Sequence, residues 1–142
     1  MELLRIGASR YTVLVSEQVL AELSDWGSAK EQKTAMLSLL TQSVPQYGPQ
    51  EDNPKICKPL KGTDGLFEFR KNAHRGPKLR VLWFYGDVSK SVVVCARAFV
   101  KTFEHLPPDE MSATVEARSS YAEALHGHRL RIEDGSHLVR RK

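Results

Sequence analysis

Apolar and polar positions change period several times along the chain, and each change marks an element. RYTVLV (10–15) is β-branched and aromatic with no breaker, which predicts a strand. Ser16 then stands where a helix N-cap belongs, and Glu17 suits the positive end of that helix. Val19, Leu20, Leu23 and Trp26 mark one helical face, Gly27-Ser28 turns the chain, and Met36, Leu37, Leu40 and Val44 supply the stripe of a second helix. Pro45, Gly48 and Pro49 close it. After the polar loop QYGPQEDNPK (46–55), strands are expected at 66–71, 79–86 and 91–100. Gly76-Pro77 separates the first two, and GDVSK makes a short hairpin before the third. Pro107-Pro108 opens a helix over about 108–125, favoured by Asp109 and Glu110 and faced by Met111, Val115, Ala122 and Leu125.

This order of strand, two helices, three antiparallel strands and helix predicts an α+β fold. It is a small, mainly antiparallel sheet with an N-terminal helical hairpin and a C-terminal helix, the helices covering one face. The other face is then solvated or used. Residues 1–125 are expected as one domain, and 126–142, HGHRLRIEDGSHLVRRK, as a basic, partly disordered tail.

Composition narrows the functional classes. A hydrophobic fraction of 41% and a charged fraction of 27% over 142 residues are those of an ordinary globular domain. No apolar run reaches the roughly 18 residues of a membrane span, and the first ten residues lack the apolar core of a secretory leader. A cytoplasmic protein without membrane contact is therefore expected. Cys57 and Cys95 lack metal-ligand spacing and are expected as reduced thiols. The histidines are scattered, and His126-Gly127-His128 reads as polar tail, so neither a metal nor another cofactor is expected.

The net charge of +4 is modest, but its distribution is uneven. Residues 55–101 hold eleven lysines and arginines against Asp64, Glu68 and Asp87. Residues 16–52 lean the other way, with Lys30 and Lys33 against Glu17, Glu22, Asp25, Glu31, Glu51 and Asp52. A cationic block that also contains the sheet points to a polyanionic partner.

Strand alternation indicates which of these cations share a face. With Phe67 and Phe69 turned to the core, Glu68 and Arg70 face outward together, about 7 Å apart by strand rise. Arg80 shares a face with Leu82 and Phe84. In the last strand Val92, Val94, Ala96, Ala98 and Val100 form a small aliphatic set expected to face the helices, which leaves Arg97 and Lys101 on the open side with Val93, Cys95 and Phe99. The expected constellation is Glu68, Arg70, Arg80, Arg97 and Lys101, with Lys58 and Lys61 entering from the preceding loop and Lys71, Arg75 and Lys78 extending the cationic surface. The plainer alternative is a solvated face whose charges form ordinary surface ion pairs, each worth little.

Four motifs add to this. KPLKG (58–62), GLFEFR (65–70), LRVLWFY (79–85) and AFVKT (98–102), in this order, resemble the RelE/HigB family of type II toxin–antitoxin toxins, chiefly its HigB and phage-borne branch. The resemblance covers roughly residues 10–125. It implies a RelE/ParE-like fold and a metal-independent endoribonuclease that cuts mRNA, on the ribosome or free, and is held in check by a cognate antitoxin protein. It maps the family's acidic and basic strand positions onto Glu68 and Arg70, its strand arginine onto Arg80, and a basic position onto Lys101. These are the expected catalytic residues, with Lys58, Lys61, Lys71, Arg75, Lys78 and Arg97 as RNA contacts. Thr102 stands where the family carries a second lysine, and the family's C-terminal tyrosine or histidine has only Tyr121 and His105 nearby in sequence. Cleavage without metal needs a base for the 2′-hydroxyl, cations for the phosphorane-like transition state and a proton for the leaving 5′-oxygen. Guanidiniums suit the second task, and Glu68 or a lysine of lowered pKa the first. ParE-like relatives instead inhibit DNA gyrase, and an inactive antitoxin-binding relative is the third reading. Arg129, Arg131, Arg140, Arg141 and Lys142 of the tail are further candidate RNA or ribosome contacts.

Overall fold

The computed structural model describes residues 1–101 and 106–139. Its strands are β1 (Glu2–Ala8), β2 (Thr12–Val15), β3 (Cys57–Pro59), β4 (Leu66–Asn72), β5 (Lys78–Tyr85), β6 (Val92–Lys101) and β7 (Arg131–Asp134). They form one seven-stranded sheet in the order β3-β4-β5-β6-β2-β1-β7. Most pairings are antiparallel, while β2 runs parallel to β6 and β7 parallel to β1. The helices are α1 (Glu17–Ser24), α2 (Lys30–Ser38), α3 (Val44–Tyr47) and α4 (Pro108–His126). The expected α+β architecture is present, with the three antiparallel strands within a residue of their expected bounds.

The corner from β2 into α1 shows how local chemistry sets the centre of the sheet. Ser16 Oγ accepts from the Val19 amide, capping α1, and donates to the Ala96 carbonyl at 2.8 Å. One turn on, the Gln18 side chain donates to Ala98 O at 2.8 Å and accepts from Ala98 N at 2.9 Å. β2 stops at Val15 while β6 runs on, and the Gln18 amide supplies the hydrogen bonds of a missing strand to that exposed edge.

A π-helical turn, Leu39–Ser43, joins α2 to α3, and Ser38, Leu39, Ser43 and Val44 all keep right-handed helical dihedrals, so the rod is continuous. Pro45 has no N–H to give the preceding turn, which explains a change of hydrogen-bond register just before it. β1 crosses the rod at Gly7, where a Cβ would lie 2.5 Å from Pro45 Cγ and 3.0 Å from the Leu40 carbonyl. β1 also shifts register between Arg5 and Gly7.

Helices lie on both faces of the sheet, which corrects the expectation of one covered and one open face. Val13, Val15, Phe69, Val81, Trp83 and Cys95 pack with Val19, Leu23, Met36 and Leu40 from the helical hairpin. On the opposite face Leu66, Leu82, Phe84, Val94 and Phe99 pack with Tyr121, and Met111 and Ala117 of α4 complete the cluster. The reason is plain: that face carries too much apolar surface to leave wet. α4 docks through Tyr121, whose hydroxyl donates to Gly86 O at 3.0 Å. Its buried residues are Thr114, Tyr121 and Ala124, whereas Val115, Ala122 and Leu125, expected to face the core, point outward.

β6 departs from simple alternation. Leu82 pairs with Arg97 and Trp83 with Cys95, so Ala96 is the extra residue of a bulge. Before it Val93 and Cys95 face the hairpin; after it Ala98 does. Val94, Ala96 and Phe99 face α4. The expected division of residues 92–100 into two alternating sets is therefore wrong ahead of the bulge and right after it, and Arg97 and Lys101 still reach the Glu68 face. Within the expected tail, Arg131–Asp134 extends the sheet as β7, and Ser136–Leu138 forms a 3₁₀ turn.

Candidate nucleic-acid site on strands β3 to β6

Cross-strand register lays out the α4 face of β3 to β6 as three rows. Lys58, Glu68, Leu82 and Arg97 form the first; Arg70, Arg80 and Phe99 the second; Asn72, Lys78 and Lys101 the third. Neighbours within a row stand about 5 Å apart and successive same-face residues about 7 Å. Glu68, Arg70, Arg80 and Lys101, the expected catalytic set, thus share one surface with Lys78 and Lys58.

The set divides by depth. Arg80 is 1% exposed and Glu68 8%. Glu68 Oε1 lies 3.5 Å from Arg70 Nε, and Glu68 Oε2 lies 3.7 Å from Arg80 Nε, so one carboxylate is bracketed by two guanidiniums. Arg80 Nη1 donates to Asn72 Oδ1 at 2.6 Å and to the Leu79 carbonyl at 3.0 Å. Arg70 Nη1 donates to the Pro54 carbonyl at 3.1 Å. Glu68 Oε2 and the Nε atoms of Arg70 and Arg80 are buried without a hydrogen bond, since the ion-pair contacts are long. Burial lowers the Arg80 pKa, opposed by Glu68 and reinforced by Arg70, but a guanidinium keeps its proton at any working pH. Arg80 therefore acts from beneath, by holding Glu68 and Asn72, and not as an open phosphate ligand.

Lys101 is half-buried and lies directly across from the exposed Lys78. Its pKa is lowered, first by burial, then by Arg80, with Lys78 and Arg70 adding and Glu68 opposing. Like charges opposite one another destabilise a sheet. Arg70 against Arg80 and Lys78 against Lys101 are two such pairs in adjacent rows, with Glu68 beside the first.

The remaining expected contacts scatter. Arg97 Nε donates to Glu110 Oε1 at 2.6 Å, so the first turn of α4 neutralises it. Lys61 lies in the turn before β4, at the end of that strand away from Arg70, and Arg75 lies in the β4–β5 turn with a φ of 57°. Lys71 points to the opposite face, across from Leu79. Tyr121 is committed to Gly86 O, about 20 Å along β5 from Arg80 by strand rise. Thr102, His105, Arg140, Arg141 and Lys142 lie outside the described residues. Arg131 pairs with Glu2 at 3.4 Å. Sequence reasoning missed Asn72, although period two places it with Arg70, and the Pro54 carbonyl, for which no sequence signal exists.

Among the described residues the other titratable groups offer no rival centre. Burial, with Glu51 adding and Trp83 opposing, pushes the Cys57 thiol up to about 12, and burial also raises Cys95, so both thiols are unreactive. Among the described residues no three of His, Cys, Asp and Glu are grouped to hold a metal ion, and no helix is long and apolar enough to cross a membrane.

No protein-family model matches the chain, and no match was found among curated proteins. The resemblance to RelE/HigB toxins accordingly rests on the four sequence motifs alone.

Proposed function

We propose that the protein is a RelE/HigB-like toxin: a metal-independent endoribonuclease that cleaves mRNA by 2′-hydroxyl attack. The supporting observation is the gathering of Arg70, Lys78 and Lys101 from three adjacent strands around Glu68, with Arg80 packed beneath. Arg70 and Lys78 bind the non-bridging oxygens of the scissile phosphate and offset the charge that develops on it. Glu68, set between the guanidiniums of Arg70 and Arg80 in two long ion-pair contacts, orients them. Lys101, whose neutral form is favoured by its surroundings, takes the proton of the 2′-hydroxyl; the 2′-oxygen bonds to phosphorus as the bond to the 5′-oxygen breaks, and solvent water protonates that leaving oxygen. The ribosome is proposed as the place where mRNA is presented, and a cognate antitoxin as the partner that covers this cationic face, with an association that weakens in salt.

Purified protein given mRNA and ribosomes should leave 5′-hydroxyl and cyclic-phosphate ends. Arg70→Ala with Arg80→Ala should cut turnover by a factor on the order of 10² or more; wild-type turnover in that variant would end this assignment.

A second reading, a ParE-like gyrase inhibitor without nuclease activity, draws on the 1% exposure of Arg80, which suits a structural ion pair as well as a catalytic support. Inhibition of DNA supercoiling with mRNA left intact would favour it.

A further inference from the structure

The free edge of the sheet carries a groove of about 530 Å³ whose wall holds Lys55, Lys58, Arg70 and Lys71 and no carboxylate. Pro54, Ile56 and Asn72 complete it. Lys58 stands beside Glu68 on the α4 face, whereas Lys71 belongs to the other face, so the groove wraps around the edge from one face to the other. Lys55 and Lys58 are exposed and have no carboxylate within ion-pair distance among the described residues.

The wall is built and not incidental. Asn53 Oδ1 accepts from the Lys55 amide at 3.1 Å, and Asn53 O accepts from Ile56 N at 3.0 Å, which folds the loop into a tight turn. Arg70 then fastens that turn to β4 twice: its backbone N–H donates to Ile56 O at 2.8 Å and its guanidinium to Pro54 O at 3.1 Å. Arg70 is therefore shared. One side of its guanidinium closes the groove, and the other meets Glu68 in the candidate active site.

We infer that this edge groove is a second phosphate-binding track, which holds the single-stranded RNA substrate one or more nucleotides away from the cleaved linkage. This rests on the endoribonuclease reading for the identity of the strand. A single anion would need fewer donors; four cations along a bent, open channel suit a backbone whose charges repeat. Because Arg70 belongs to both places, a strand lying in the groove is delivered to Lys78 and Lys101 without a gap.

The test measures binding apart from cutting. Fluorescence anisotropy compares a fluorescein-labelled trinucleotide with a labelled 12-nucleotide RNA, both 2′-O-methylated so that neither can be cleaved. Lys55→Glu with Lys71→Glu should shrink the affinity advantage of the longer RNA at least tenfold and make its salt dependence shallower by about 1.4 log units per log unit of salt, about 0.7 for each lost phosphate contact. Lys30→Glu with Lys90→Glu, an equal charge change away from the groove, should preserve that advantage. The neutral pair Lys55→Gln and Lys71→Gln repeats the comparison, and circular dichroism verifies each fold. An unchanged advantage in the groove variants, or an equal loss in the control, overturns the track. Cleavage is scored separately on unmodified RNA. Groove-dependent binding without cleavage would leave the track standing and remove the nuclease, while cleavage with the length advantage intact in the groove variants would do the reverse.

Discussion

Glu68 Oε2 lies 3.7 Å from Arg80 Nε, and both side chains are almost wholly removed from solvent. A buried guanidinium next to a second one, Arg70, is tolerable only with that carboxylate between them. The pair thus joins stability to the surface above it.

Removing the carboxylate should be costly and removing both partners less so. Glu68→Ala is expected to destabilise the fold by about 3–5 kcal/mol, the range for leaving a buried charge unpaired. The double variant Glu68→Ala, Arg80→Met should recover a large part of that loss. Urea unfolding of the four species closes the cycle; additive losses would show that the two side chains do not act together.

Lys101 should set the pH dependence of cleavage. A lysine must be neutral to accept a proton, so kcat is expected to rise with pH through a pKa below 10.5, the ordinary lysine value. Lys101→Met should lower kcat by about 10²–10⁴-fold and flatten the profile. Lys101→Arg, which keeps the charge but cannot release it, should do nearly as badly. The linkage to folding has the same direction: the folded chain gives up this proton more readily than the unfolded one, so on this account stability increases with pH up to about 10.5.

Asp87 organises the β5–β6 hairpin. It accepts from Ser89 Oγ at 2.6 Å, from Ser91 N and Val92 N at 2.9 Å each, and from Ser91 Oγ. Burial pushes its pKa up, but those hydrogen bonds win and bring it to about 2 from 3.8. The stability it contributes is complete above the unfolded value and lost as pH falls from near 4 toward 2. Asp87→Asn should cost about 2 kcal/mol at neutral pH and remove that part of the acid sensitivity, both readable in thermal melts taken from pH 2 to 7.

Gly86 limits how closely α4 approaches the sheet. A Cβ there would sit 2.6 Å from the Tyr121 hydroxyl and 2.9 Å from methyls of Val92 and Val94. Gly86→Ala should destabilise by about 1–3 kcal/mol through overpacking. Hydrogen exchange should show the loss concentrated in α4.

What was legible in the sequence follows from what has a period. β4, β5 and β6 are long and rich in β-branched and aromatic residues, and Ser16 with Glu17 announces α1, so these elements could be read directly. The co-facing of Glu68 and Arg70 follows from period two alone, whereas the place of Arg80 beside them comes from the β4–β5 register, which sets it opposite Arg70. β7 is exposed along its whole length and carries no apolar alternation to notice. β3 is three residues long and ends in proline. The bulge at Ala96 leaves no compositional trace, yet it decides which side of β6 is which. Arg80 reads as a surface cation because burial is set by what lies above a strand, and α4, which packs on that face, begins 28 residues downstream at Pro108.

The parallel contact of β2 with β6 joins positions such as Ser16 and Ala96, 80 residues apart. At typical synthesis rates of about 5–20 residues per second, β2 waits about 4–16 seconds for its neighbour to be made. Lys101 closes the same late strand, so its place beside Lys78 and the middle of the sheet come into being together. A nascent chain halted before β6 carries Arg70 and Lys78 but neither of these.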